Sequence, residues 1–160
     1  MQRLNGVSRL VSLLEATECR DPQGCVDDGL GEGLSAYLMG FLPPGIKSLG
    51  VSQHAWGTSE RFSNGVFLCR GTDGYSSRHR HWHHDNLIRV LQGTLDVECN
   101  GSWYRLETNG SIKVPHGCPH RLVVVEPCLF SETYDAPYGA PDPKTDIDRM
   151  DQGSSEHWRP

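Results

Sequence analysis

Hydrophobic and polar positions along the chain change rhythm near residue 46. Before it, Val7, Leu10, Val11, Leu13 and Leu14 recur at close to helical period, which predicts a short amphipathic helix over residues 7–18. Residues 21–33 are rich in Asp and Gly and read as a loop, and a second apolar stretch, Ala36 to Leu42, is stopped by Pro43-Pro44-Gly45. From Ile46 onward the apolar positions fall in short β-type runs divided by Gly, Asn, Asp and Pro: 46–56, 61–70, 86–92, 94–99, 102–107, 111–115, 119–125 and 128–135. Short strands at regular spacing, joined by turn residues, predict an all-β sandwich or barrel. Asn100-Gly101 and Asn109-Gly110 are hairpin signals. The tail after Asp135 carries Pro, Asp, Gly and Ser with little apolar content, and reads as a covering arm or a partly disordered segment. The layout is an N-terminal helical or loop arm over 1–45, a barrel over 46–135 and a C-terminal tail over 136–160.

Composition narrows the function classes. A chain of 160 residues with 36% hydrophobic and 22% charged positions can pack one core. A formal charge of −5 argues against a general nucleic-acid binder, which needs a basic face to displace counterions. No apolar run is long enough to span a bilayer, and the first fifteen residues lack the continuous apolar region of a secretion signal, so a cytoplasmic protein is expected. Six cysteines, at 19, 25, 69, 99, 118 and 128, include no Cys-x-x-Cys pair and read as reduced thiols. The state of Cys19 and Cys25 stays open.

Chemistry concentrates in Ser77-Arg-His-Arg-His-Trp-His-His-Asp-Asn86, which holds four of the eight histidines. On an extended strand alternate side chains share a face, so His79 and His81 can aim at one point and offer two nitrogen ligands to a transition metal. A solvated histidine tract gives the same local sequence.

The wider spacing separates these readings. His79-x-His81-x4-Asn86-x6-Gly93, followed by Gly110-x4-Pro115-x-Gly117-x2-His120, resembles the two-motif pattern of the cupin superfamily, G-x5-H-x-H-x3/4-E-x6-G and G-x5-P-x-G-x2-H-x3-N. The resemblance covers residues 74–124 and implies a cupin double-stranded β-helix, a jelly-roll-like barrel. It also implies a metal inside, held by His79, His81 and His120. Two departures matter. Asn86 stands where the family has a glutamate, with Asp85 one residue earlier, and Val124 replaces the final asparagine. An amide is a weak ligand, and Asp85 reaches inward only if a bulge shifts the strand's facing. A three-histidine site follows, with Asn86 near it.

Alternation places Ile88, Val90 and Gln92 inward with Asn86, and Leu122 and Val124 inward with His120. Glu132 and Tyr134 share one face of the last strand and are candidates for the pocket or for its rim. His83 and His84 read as solvent-facing loop residues, with a pocket acid–base role as the alternative. His116 is expected to point outward, and His54 and His157 have no evident partner. Trp82 and Trp103 read as packing or lid residues. Arg70, Arg78 and Arg80 near the mouth are either solvated or hold an anionic group of a substrate.

The resemblance implies action on a small molecule. A three-histidine site is similar to that of small cupin dioxygenases, which favours Fe(II), with Mn, Ni, Cu or Zn as other divalent ions; no counterpart of the thiol dioxygenases' crosslinking cysteine stands at position 86. Pro115-His-Gly-Cys-Pro-His-Arg121, Ser131-Glu-Thr-Tyr134 and Asp146-Ile-Asp-Arg-Met-Asp151 resemble the end of the cupin domain of type II phosphomannose isomerases. That implies a sugar isomerase or epimerase with Glu132 as proton shuttle. A non-enzymatic binding protein is the third class. Asn86, Glu132 and Tyr134 are the catalytic candidates. A homodimer is expected, burying the apolar segments 7–14 and 36–42.

Overall fold

The computed structural model describes residues 45–160. The helix expected over 7–18, the apolar stretch 36–42, and Cys19 and Cys25 lie outside the described residues. The strands are β1 (Ser48–His54), β2 (Gly57–Phe62), β3 (Phe67–Gly71), β4 (His79–Arg80), β5 (Asp85–Cys99), β6 (Ser102–Leu106), β7 (Ser111–Val114), β8 (His120–Asp135) and β9 (Asp148–Arg149). All are antiparallel to their neighbours. β1, β2 and β3 form a meander that pairs with the second half of β8. The start of β8 pairs with β4, and β4 carries β9 on its other edge. β5 runs against β8, with β7 along its first part and β6 along its last. The result is the expected all-β fold, one sheet curled around a core.

Two long strands replace four of the expected short ones, for a local reason. β5 and β8 continue through the points where breaks are expected because β5 is bulged between Val90 and Leu95. Gly93 stands at the bend with φ +87°, and a Cβ there would come within 2.3 Å of the Pro127 carbonyl oxygen. Gly93 thus lets two backbones approach inside a strand pair rather than making a turn between strands. The bulge also overturns one facing assignment: Ile88 and Val90 are inward, but Gln92 is exposed and Leu91 takes the interior. The run 61–70 is split by a turn at Ser63-Asn64-Gly65, closed by Phe62 N–H on the Val66 carbonyl. Asn100 (φ 50°) and Gly101 (φ 89°) make the β5–β6 hairpin, the left-handed pair whose twist suits a two-residue connection.

Trp56, Ile88, Val90, Leu95, Val97, Leu122, Val124 and Phe130 form the core, with the thiols of Cys69 and Cys128 packed as small apolar groups. Each large apolar side chain so buried stabilises by roughly 1.5–3 kcal/mol before ordering costs. Cys99 and Cys118 differ: both are part-exposed free thiols, with their sulfurs 2.9 Å apart.

The tail is a structured strap. Asp142 takes a two-pronged ion pair from the buried Arg61 at 3.1 and 3.2 Å, β9 extends the sheet, and Ser154 bridges to Tyr75. Trp158 closes it edge-on against the Tyr75 ring.

Candidate metal centre

Three elements deliver three imidazoles to one point. His79 opens β4, His81 follows it, and His120 opens β8 directly opposite His79 in the register. Their ligand nitrogens all lie within 4.8 Å of one another. The 115–119 turn sets up His120: Gly117 N–H bonds the His81 carbonyl at 2.7 Å, tying the two ligand loops together.

Each ring is held in the same tautomer. Nδ1 of His79 bonds the Ser77 carbonyl (2.8 Å), that of His81 the Asp146 carbonyl (2.7 Å), and that of His120 the Cys118 carbonyl (3.0 Å). A carbonyl oxygen only accepts, so Nδ1 carries the proton and Nε2 keeps its lone pair. Burial pushes all three imidazoles below their usual range, His81 to about 4, so they are neutral near pH 7. Nε2 of His81 and of His120 are buried and have no hydrogen-bond partner. Two orphaned acceptors cost about 1–3 kcal/mol each. Neutral rings, fixed tautomers and converging orphaned lone pairs fit a transition metal, and the ring orientation by backbone acceptors is the arrangement metal-binding histidines use.

A carboxyl cluster stands beside the histidines. Glu132 and Tyr134 both line the cavity of about 310 Å3 that also reaches His79 and His81. Tyr134 O–H donates to Glu132 Oε2 (3.3 Å), Asn86 Nδ2 donates to Oε1 (3.3 Å), and the Tyr134 ring lies edge-on to His81. Burial raises the Glu132 carboxyl above its ordinary value against the pull of these hydrogen bonds, and burial holds the Tyr134 phenol protonated. Asn86 is buried opposite Tyr134 and spends its amide N–H on Glu132.

Other residues fall differently from expectation. Asp85 faces away from the histidines, taking hydrogen bonds from the His116 backbone and ring and pairing with Lys113. His116 is exposed, as expected. His83 is exposed, but His84 is buried rather than solvent-facing, and its Nδ1 lies 2.5 Å from Asp146. Arg78 and Arg80 are paired with Glu98 and Asp148, and neither these two nor Arg70 lines the cavity. Trp82 is half exposed under the Arg80 guanidinium, and Trp103 is half exposed against Trp158. His54 stacks on Trp56 and bonds Ser59, and His157 pairs with Asp73.

Asp146, in the strap, escaped the sequence reading as a functional residue. Its carboxylate takes the backbone N–H groups of Trp82 and His83 and the Nδ1 atoms of His83 and His84, while its carbonyl orients His81. Burial works to raise its carboxyl, but these hydrogen bonds outweigh it and hold the group at about 2. The available signal was indirect: a loop that buries His81 and His84 must find acceptors for them.

Residues 70–133 match the family model described as a cupin domain. No curated protein matches the chain. Among solved structures it is similar to an RmlC-like cupin from Shewanella frigidimarina NCIMB 400, at 18% identity over 59% of this chain and 85% of that one, with TM-score 0.47. KdgF from Halomonas sp. shares 24% identity over 61% of this chain and 84% of that one, with TM-score 0.44. A sugar phosphate isomerase from a cupin superfamily, from Silicibacter pomeroyi, shares 22% identity over 51% of this chain and 60% of that one, with TM-score 0.46. Among the described residues no helix is long and apolar enough to cross a membrane.

Proposed function

We propose that the chain is a metal-dependent cupin enzyme that moves a proton on a small organic molecule, an isomerase or epimerase in reaction class. In this reading His79, His81 and His120 hold one divalent transition metal and Glu132 is the acid–base group. One observation carries it: the cavity that reaches His79 and His81 is also lined by the buried carboxyl of Glu132. The bound metal would supply Lewis-acid polarisation of a substrate oxygen. Glu132, raised by burial, accepts or returns the proton nearer neutrality than an exposed carboxylate does. Tyr134 and Asn86 each bond one carboxyl oxygen and fix its orientation. Trp56, Phe67 and Leu122 supply apolar wall around the same space and limit water.

A second reading, a three-histidine Fe(II) dioxygenase, is favoured by the donor set itself. The group that could hold a metal contains three neutral imidazoles and no carboxylate. The two readings divide on one experiment: anaerobic purification with metal quantitation, followed by oxygen uptake and by solvent-deuterium incorporation into a panel of aldose and ketose phosphates and sugar acids. Stoichiometric metal with deuterium incorporation and no oxygen uptake supports the isomerase reading. Oxygen uptake moves the assignment to a dioxygenase, and a metal-free protein overturns both in favour of a binding protein. Pairing into a homodimer in the cytoplasm is part of the same proposal, with sedimentation as its check.

A further inference from the structure

The cationic groups of the protein are distributed unevenly. Arg61, Arg78, Arg80, Arg105 and Arg121 each face a carboxylate of their own. Lys144 and Arg149 line the cavity and have no carboxylate partner among the described residues. Both come from the strap. Arg149 is the β9 residue directly opposite His79, and side chains directly opposite in an antiparallel pair stand on the same face. Its guanidinium therefore rises on the side where His79 reaches the cavity. Lys144 is steered by Ser52, whose hydroxyl accepts from Nζ at 3.3 Å. Of the two acids on the cavity wall, Asp151 is engaged by the Arg121 guanidinium and the Arg78 backbone N–H, and Glu132 lies among Asn86, Tyr134 and Cys69. The mouth is thus positive in a chain whose formal charge is −5.

We propose that Lys144 and Arg149 form an anion-binding subsite at this mouth, so that the ligand is a small carboxylate or phosphate monoester held by its charged end. The inference deepens the proposed function and rests on it for what happens at the other end of the ligand, beside the histidines and Glu132. An anion at the mouth satisfies two cations that have no carboxylate partner among the described residues, and orients the rest of the molecule inward. It also excludes neutral molecules of the same size, because they leave both charges unmatched.

The test is titration calorimetry with orthophosphate, with malonate and with neutral glycerol, on metal-loaded protein and on protein stripped of metal with the chelator removed. The proposal expects stripped wild type to bind an anion and ignore glycerol, and orthophosphate against malonate tells phosphate from carboxylate selection. Lys144→Gln/Arg149→Gln should weaken the anion by about tenfold or more, the loss of charge-assisted hydrogen bonds, while Arg89→Gln on the outer face of β5 changes nothing. Should the double variant also lose metal, Lys144→Gln decides, since Lys144 does not pair with a ligand strand. Anion affinity unchanged in that variant, or no anion binding by stripped wild type, overturns the subsite. A wild type that holds no metal yet binds anion through these residues overturns the proposed function and leaves the subsite standing.

Discussion

The barrel wall and the C-terminal strap contribute unlike things to one site. The wall supplies donors: His79, His81 and His120 sit on or beside sheet strands whose register places them together, and two of them are buried. The strap supplies orientation and charge, through the Asp146 carbonyl on His81, the Asp146 carboxylate on the 82–84 loop, and Lys144 and Arg149 at the mouth. A donor set is complete without the strap, but its second ring would be free to turn. The division implies that wall substitutions abolish metal binding and strap substitutions weaken it.

The largest expected effect is on the wall. His120→Ala removes one of three donors together with a buried ring, and metal content after dialysis should fall to near zero. A variant that keeps stoichiometric metal breaks the assignment, because ligation would then come from elsewhere. Chelation of wild type should lower its melting temperature, since a ligand that binds only the folded state stabilises it, and should do much less to His120→Ala.

The strap should give a graded effect. Asp146→Asn keeps the main-chain carbonyl that orients His81 but loses the carboxylate that gathers Trp82, His83 and His84. Metal affinity, measured by competition with a chromophoric chelator, should weaken by about 10- to 100-fold, the range for removing a group that orients metal ligands. Equal affinity in the variant would mean that the Asp146 carboxylate has no part in placing the histidines, and that the main-chain carbonyl suffices for His81.

This contrast also explains what was legible in the sequence. The resemblance to the cupin two-motif pattern let His79, His81 and His120 be named together, and the fold brings their ring nitrogens within 4.8 Å of one another. The bend at Gly93 was visible as a glycine but not as a bulge, which is why Gln92 was assigned to the wrong face. The tail was legible as a covering arm, with partial disorder as the alternative, but its anchors were not, because they are tertiary. Asp142, Asp146 and β9 are fixed by partners 62 to 81 residues away, and no local periodicity marks such contacts. Arg149 entered the sequence reading only as part of the Asp146–Asp151 segment and Lys144 not at all, while Arg78 and Arg80, nearer in sequence to the histidines, are each paired with a carboxylate.

A smaller effect is expected with pH. The Asp146 carboxyl is held at about 2 against an ordinary value of 3.8. A depressed carboxyl contributes stability above its unfolded value and loses it as pH falls through its folded value. Wild type should therefore exceed Asp146→Asn in urea stability by on the order of 1–2 kcal/mol at pH 5, when both are free of metal. The gap should narrow between about pH 4 and pH 2. A gap that is unchanged at pH 3 would show that the strap is anchored elsewhere, for instance at Arg61 and Asp142.

The smallest effect on metal should come from Asn86, which occupies the wall position closest to a ligand in the motif yet spends its N–H on Glu132. Asn86→Ala should leave metal content nearly unchanged. It removes a hydrogen bond that lowers the Glu132 carboxyl, so that group should titrate higher still, and the pH profile of any proton-transfer activity should move to higher pH. Asn86→Glu is the sharper control. By motif it restores a charged ligand and should tighten metal, but it also sets a second carboxylate against Glu132, where the amide now stands 3.3 Å away. If metal affinity rises, the new carboxylate has turned to the histidines; if it falls while the Glu132 profile moves up, the carboxyl that the motif lost has in effect been taken over by β8. In either case Asn86→Ala must retain its metal, because a loss there would make the amide a ligand and the three-histidine assignment incomplete.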